Sequence, residues 1–154
     1  MRSKSGLFDV SHMGEFIVSG NNAKTFLQNV TTNDIQKLEA GKVQYSAFCN
    51  DSGGVIDDLL VYHLGDHYML VVNASNIEKN FEWLSSKLID DVSLEDKSDS
   101  MSLLALQGPL SRTHLKKLYP KIKDLKYYET LLPDKNEVTF ARLSLIHISE
   151  PTRR

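Results

Sequence analysis

The stretch Asp51 to Tyr62, DSGGVIDDLLVY, leaves a Gly-Gly turn, enters an apolar run and sets two carboxylates side by side inside it. Successive side chains of a strand point to opposite faces, so Asp57 and Asp58 must diverge. Within a sheet, at least one of them then meets packed apolar surface, where an unpartnered carboxylate is costly. An acid kept in that position calls for a reason: either chemistry at the carboxylate, or hydrogen bonds to backbone groups near a hairpin. A calcium loop built from Asp51, Asp57 and Asp58 is a third use, but the spacing lacks the ligand ladder of an EF-hand, and no metal is expected. Alternation gives Asp57 a paired or solvated place and a supporting role. His12 reads as a hydrogen-bonded packing residue, and Cys49 as a small buried side chain with no base beside it in sequence. His63, His67 and His114 have no ligand spacing.

The elements that must position these residues follow from periodicity. Gly14 to Gly20 reads as a short strand and NNAKTFLQNV as a helix, with its asparagines suited to capping. Lys42 to Leu64 reads as a hairpin closed by DSGG, and HYMLVVN as a further strand. ASNIEKNFEWLSSKL places Ile77, Phe81, Leu84 and Leu88 on one helical face, with Asn73 or Ser75 as the cap. A short strand at Val92 to Leu94 and an apolar one at MSLLALQG follow, and Gly108-Pro109 starts a helix with proline in its first turn. Beyond Pro120 another strand is allowed, but the pattern is weak. Strand neighbours joined by tight turns predict an α+β fold, with a largely antiparallel sheet and flanking helices.

Composition narrows the classes. The 154 residues, 41% hydrophobic and 25% charged, suit one compact domain. A formal charge of −2 supplies no basic footprint for nucleic acid. No apolar run approaches the roughly 20 residues of a membrane span, and no signal pattern opens the chain, so a soluble, unsecreted protein is expected. The single cysteine excludes an internal disulfide and fits a reducing compartment such as the cytoplasm.

Four segments in register carry a family resemblance: GLFDVSHMGE (Gly6 to Glu15), TTND (Thr31 to Asp34), NDSGGVIDDLLVY (Asn50 to Tyr62) and LLALQGP (Leu103 to Pro109). In this order and spacing, over roughly Ser3 to Arg142, the chain resembles the aminomethyltransferase of the glycine cleavage system, the T-protein. The resemblance implies transfer of a one-carbon unit from the aminomethyl-lipoyl arm of H-protein to tetrahydrofolate, with release of ammonia and formation of 5,10-methylenetetrahydrofolate. It places Asp58 beside the reacting region of the folate, where a carboxylate can orient the amine, accept a proton or stabilise the cation formed as ammonia leaves. It places Met13, Tyr45, Val71 and Asn73 along the folate pocket, whose flat ring system needs apolar and aromatic walls with a few directed polar groups. The plainer reading makes Met13, Tyr45 and Val71 core and Asn73 a helix cap.

The family has further sequence on both sides of the matched region, so the resemblance implies a fragment, expected to be inactive alone, whose Met1 stands where an internal codon was read as a start. Leu143 onward, LSLIHISEPTRR, resembles the read-through translation of a library adapter; residues 1–142 are therefore expected to form the domain and 143–154 a non-native tail. Two relatives of the fold compete: a folate-binding iron–sulfur assembly factor, normally marked by a cysteine-bearing motif downstream, and the folate domain of a dimethylglycine or sarcosine dehydrogenase, preceded by a flavin domain.

Overall fold

A computed structural model describes residues 3–132 and 138–143. Nine strands and three α-helices run in the order β1 (Gly6–Asp9), β2 (Gly14–Ser19), α1 (Ala23–Val30), β3 (Val43–Cys49), β4 (Val55–His63), β5 (Tyr68–Val72), α2 (Ile77–Ser86), β6 (Ser93–Asp96), β7 (Leu104–Gln107), α3 (Ser111–Leu118), β8 (Glu129–Leu131) and β9 (Phe140–Arg142). The main sheet has five strands in the order β3-β4-β5-β2-β6, and every pairing in it is antiparallel. The α+β class, with a mostly antiparallel sheet, is therefore the observed one.

The β3–β4 hairpin begins at a side-chain-built turn. Asn50 Oδ1 accepts from the backbone N–H groups of Ser52 and Gly54, at 3.1 and 2.8 Å. Gly53 takes φ +83°, which only glycine adopts without strain. Just beyond the turn, Cys49 pairs with Val55 but Phe48 pairs with Asp57, so Ile56 is an extra residue. This bulge re-aims the strand. From Asp57 onward, odd-numbered residues face one side of the sheet and even-numbered residues the other.

One face carries Leu59, Val61, Leu70 and Val72 against Phe26 and Leu27 of α1 and Leu84 of α2, all buried. Full burial of such a side chain contributes about 1.5–3 kcal/mol. Trp83, on the flank of α2, stacks at a tilt on Phe48 with ring centroids 5.2 Å apart. The opposite face carries Val43, Leu60, Tyr62, Met69 and Val71, with Met13, Leu103, Tyr128 and Leu143 packed beside them. Leu143, the first residue of the expected tail, thus contacts the folded body; residues 144–154, and Met1, lie outside the described residues.

Several local expectations are corrected. Asn21 and Asn22 do not cap α1 with their side chains; their Nδ2 groups donate to Asp91 Oδ2 and the Asp90 carbonyl, tying the far loop down. Leu88 lies past the end of α2 and is exposed, because the helix stops at Ser86. Pro109 precedes α3 rather than occupying its first turn. β1 lacks a sequence period of its own and pairs with β7 in a separate two-stranded ribbon. His12 is exposed rather than packed, and Cys49 is half-buried.

Candidate functional site

The bulge at Ile56 determines what the two aspartates meet. Asp57 shares the helix-covered face and is 8% exposed; Asp58, opposite Ala47, emerges half-buried on the other face. Their divergence follows the alternation read from sequence. Their separation does not extend to their partners, because a single amide joins them. Asn73, the residue after β5, donates from Nδ2 to Asp57 Oδ1 at 2.8 Å and to Asp58 Oδ1 at 2.7 Å. It also makes a longer contact, 3.3 Å, to the Asp58 carbonyl.

Each aspartate has a second partner. Tyr45 Oη donates to Asp58 Oδ2 at 2.8 Å, from the neighbouring strand. Asn80, fully buried on α2, donates from Nδ2 to Asp57 Oδ2 at 2.6 Å. The result is a continuous polar chain, Asn80–Asp57–Asn73–Asp58–Tyr45, running from the helix layer through the end of the sheet to the open face. The hydrogen bond to Asp58, followed by burial, pushes the Tyr45 phenol up to about 12. Asn73 sits at the N-cap position of a short 3-10 turn, yet its side chain makes no capping bond. The helix-cap alternative is thereby excluded by where the amide points.

Met13, Tyr45, Asp58, Leu59, Leu60, Val71 and Asn73 line one concavity of about 240 Å³, counting space open to solvent. All five residues singled out in the sequence lie on this wall. Val71 is buried and Met13 half-buried, while Tyr45 is 40% exposed and forms the rim. Apolar walls with a carboxylate and an amide at one end can hold a flat, partly polar ring system and direct hydrogen bonds at its edge. Among the described residues, no group of three or more His, Cys, Asp or Glu side chains is arranged to hold a metal ion.

Two polar residues escaped the sequence reading. Asn80 occupies the same helical face as Ile77, Phe81 and Leu84, but an apolar period carries no mark of a polar residue within it. Glu15 lies directly across from Val71 and two residues after Met13; it is 1% exposed, and both carboxylate oxygens lack a hydrogen-bond partner. Burial, with a smaller push from Asp96, raises its carboxyl to about 7. GEFIVS reads only as a short strand, and nothing in it marks an acid that is buried because both faces of β2 are covered.

A five-stranded antiparallel sheet backed by two helices, with an acid-and-amide concavity on its other face, defines a class of chain that relatives share. Residues 1–145 match the GCVT N-terminal domain, and the chain belongs to that family. An aminomethyltransferase from Chloroherpeton thalassium is 55% identical over 137 residues, which is 87% of this chain and 38% of the relative. One from Geobacillus sp. (strain WCH70) is 56% identical over 119 residues, 77% of this chain and 33% of the relative. The crystal structure of glycine cleavage system aminomethyltransferase T from Bartonella henselae superposes with a TM-score of 0.80 at 29% identity, covering 93% of this chain and 39% of that one. The chain thus spans between a third and two fifths of these relatives. Neither the assembly-factor nor the dehydrogenase reading is favoured by these likenesses.

Proposed function

We propose that the chain carries the folate-binding face of a glycine cleavage aminomethyltransferase, with tetrahydrofolate as co-substrate and the aminomethyl-lipoyl arm of H-protein as donor. The observation that carries this reading is the convergence of Asp58, Asn73, Tyr45, Met13 and Val71 on one concavity. Their chemistry fits the group: Met13, Leu60 and Val71 offer apolar contact to a fused ring, Tyr45 an aromatic rim, and Asp58 and Asn73 directed polar atoms. The concavity is shallow and open to solvent, so it suits contact with one part of a folate molecule rather than enclosure of the whole.

Bound tetrahydrofolate would supply the amine that takes up the one-carbon unit. Asp58 is the catalytic residue of the proposal: it holds an ionisable carboxylate at the concavity, oriented from two sides by Tyr45 and Asn73, where it can accept a proton or favour positive charge developing as ammonia departs. Met13 and Val71 give that carboxylate an apolar flank, and the remaining lone pairs of Asp58 are its working acceptors. Among the described residues, no helix is long and apolar enough to cross a membrane; we place the protein in the cytoplasm by analogy with its bacterial relatives.

The test has two arms. Calorimetric titration of this chain with tetrahydrofolate should give weak binding that Asp58→Asn reduces modestly. In a longer family protein carrying this sequence, the same change should lower turnover about a hundredfold while folate affinity falls far less. Equal losses in affinity and turnover, or no folate binding by either protein, would sink the proposal.

A further inference from the structure

Asn80 does not line the concavity, yet it is the far end of the polar chain that reaches it. Burying an amide at 0% exposure in the helix layer is unfavourable unless the amide is used, and its Oδ1 has no partner at all. Its one hydrogen bond goes to Asp57. Asp57 in turn reaches the concavity only through Asn73.

The orientation of Asn73 follows from its neighbours. An ionised carboxylate can only accept hydrogen bonds. Asn73 Nδ2 lies within 2.8 Å of an oxygen of each aspartate, so the nitrogen must occupy that position; a flipped amide would set its oxygen against two carboxylate oxygens. With both N–H groups engaged, Oδ1 is the only polar atom the Asn73 side chain can offer to the concavity. The Tyr45 hydroxyl proton is likewise engaged, on Asp58. What remains for a ligand is a set of acceptors: Asn73 Oδ1, the free lone pairs of Asp58, and Tyr45 Oη.

We infer that Asn80 and Asp57 are positioning residues that lock the Asn73 amide with its carbonyl toward the ligand, making this wall of the concavity a reader of N–H donor edges. The ligand class that fits is a ring system presenting N–H groups along one edge. The inference rests on the folate-site reading for the identity of that ligand, but not for the lock itself. Asp57 thereby becomes part of the machinery that sets up Asp58, despite facing the other side of the sheet.

Side-chain amide NMR of the chain tests the lock without any ligand. In the wild type, both Asn73 Hδ2 protons should resonate downfield, as expected of N–H groups bonded to carboxylates. Asn80→Leu removes the donor that anchors Asp57 at similar volume; the Asn73 pair should move upfield, and tetrahydrofolate affinity should fall about tenfold. Asp57→Asn is the conservative variant: its amide oxygen still accepts from Asn73, and its N–H can reach the orphaned oxygen of a flipped Asn80, so the Asn73 proton facing it should move upfield less than in Asn80→Leu while the proton on Asp58 stays downfield. Unchanged Asn73 signals in Asn80→Leu, or their collapse in Asp57→Asn, would overturn the lock. If Asn80→Leu does not fold, the Asp57→Asn spectrum alone decides. Absence of tetrahydrofolate binding by the wild type counts against the folate reading, while the spectra still decide the lock.

Discussion

Replacing Asp58 by Asn should release the phenol of Tyr45. In the native protein this group is pushed up to about 12, chiefly because it donates to Asp58 Oδ2 at 2.8 Å and would lose that bond on ionising. Asp58 adds a repulsive charge, and burial contributes between the two. Asp58→Asn leaves the burial and the smaller repulsions from Tyr128 and Asp57. It also reverses the bond: the new amide must turn its oxygen toward Asn73, which offers only N–H, so its nitrogen faces Tyr45 and donates to the phenolate. The phenol should therefore titrate clearly below its native value, back toward an ordinary tyrosine. At pH 11, about a tenth of Tyr45 would be ionised in the native protein and a distinctly larger fraction in the variant. Site-resolved carbon NMR of labelled tyrosine, read soon after a jump to high pH, separates Tyr45 from the five other tyrosines. If Tyr45 titrates identically in both proteins, the hydrogen bond and the account of the site built on it are wrong.

Glu15 should make stability fall with rising pH. Its carboxyl is raised to about 7 in the fold from an ordinary value of 4.5, so the folded state retains a proton that the unfolded chain releases. The favourable contribution is complete below about 4.5 and is lost as pH climbs to about 7, on the order of 2 kcal/mol. Glu15→Gln should flatten that slope in denaturant unfolding; an unchanged slope refutes the assignment. Gly20→Ala should cost at least about 2 kcal/mol, because Gly20 sits at φ +112° and an added Cβ would strike the Asp91 carbonyl. Thermal unfolding within a degree of the native protein would contradict it. Lys42→Met should leave stability almost unchanged, since its 2.7 Å pair with Glu129 is solvated and screened by salt; a clear loss by chemical denaturation would mean the pair does more than tie the start of β3 to the β8–β9 ribbon.

The main sheet was legible where turn chemistry and apolar alternation agree, as in the hairpin around Asn50 to Gly54 and the strand Tyr68–Val72. The divergence of Asp57 and Asp58 was legible for the same reason, since alternation is a property of the strand alone. What could not be read depends on partners distant in sequence. β1 is four residues long, exposes Leu7 and Phe8, and exists as a strand only because residues 104–107 pair with it. The burial of Glu15 is not legible in GEFIVS, because it depends on Val71 of the neighbouring strand and on the residues packed over that face, all distant in sequence. The shared use of Asn73 by two acids on opposite faces was equally hidden: it requires β5 to end level with Asp58, a register that the chain sets through Leu59 pairing with Val72.

The local character of β3–β4–β5 bears on how the chain folds. These strands are consecutive and joined by short turns, so their contacts close without large loss of chain entropy, whereas pairing Gly6 with Gln107 must close a loop of about 100 residues. The meander is therefore the expected nucleus, with β1, β2, β6 and β7 adding to it later. Six of the seven residues around the concavity, all but Met13, belong to residues 45–73. The carboxylate, its tyrosine and its amide therefore meet within the nucleus, while Met13 arrives with the strands that pair last, so mutations around Asp58 should slow folding and mutations in the β1–β7 ribbon should mainly hasten unfolding.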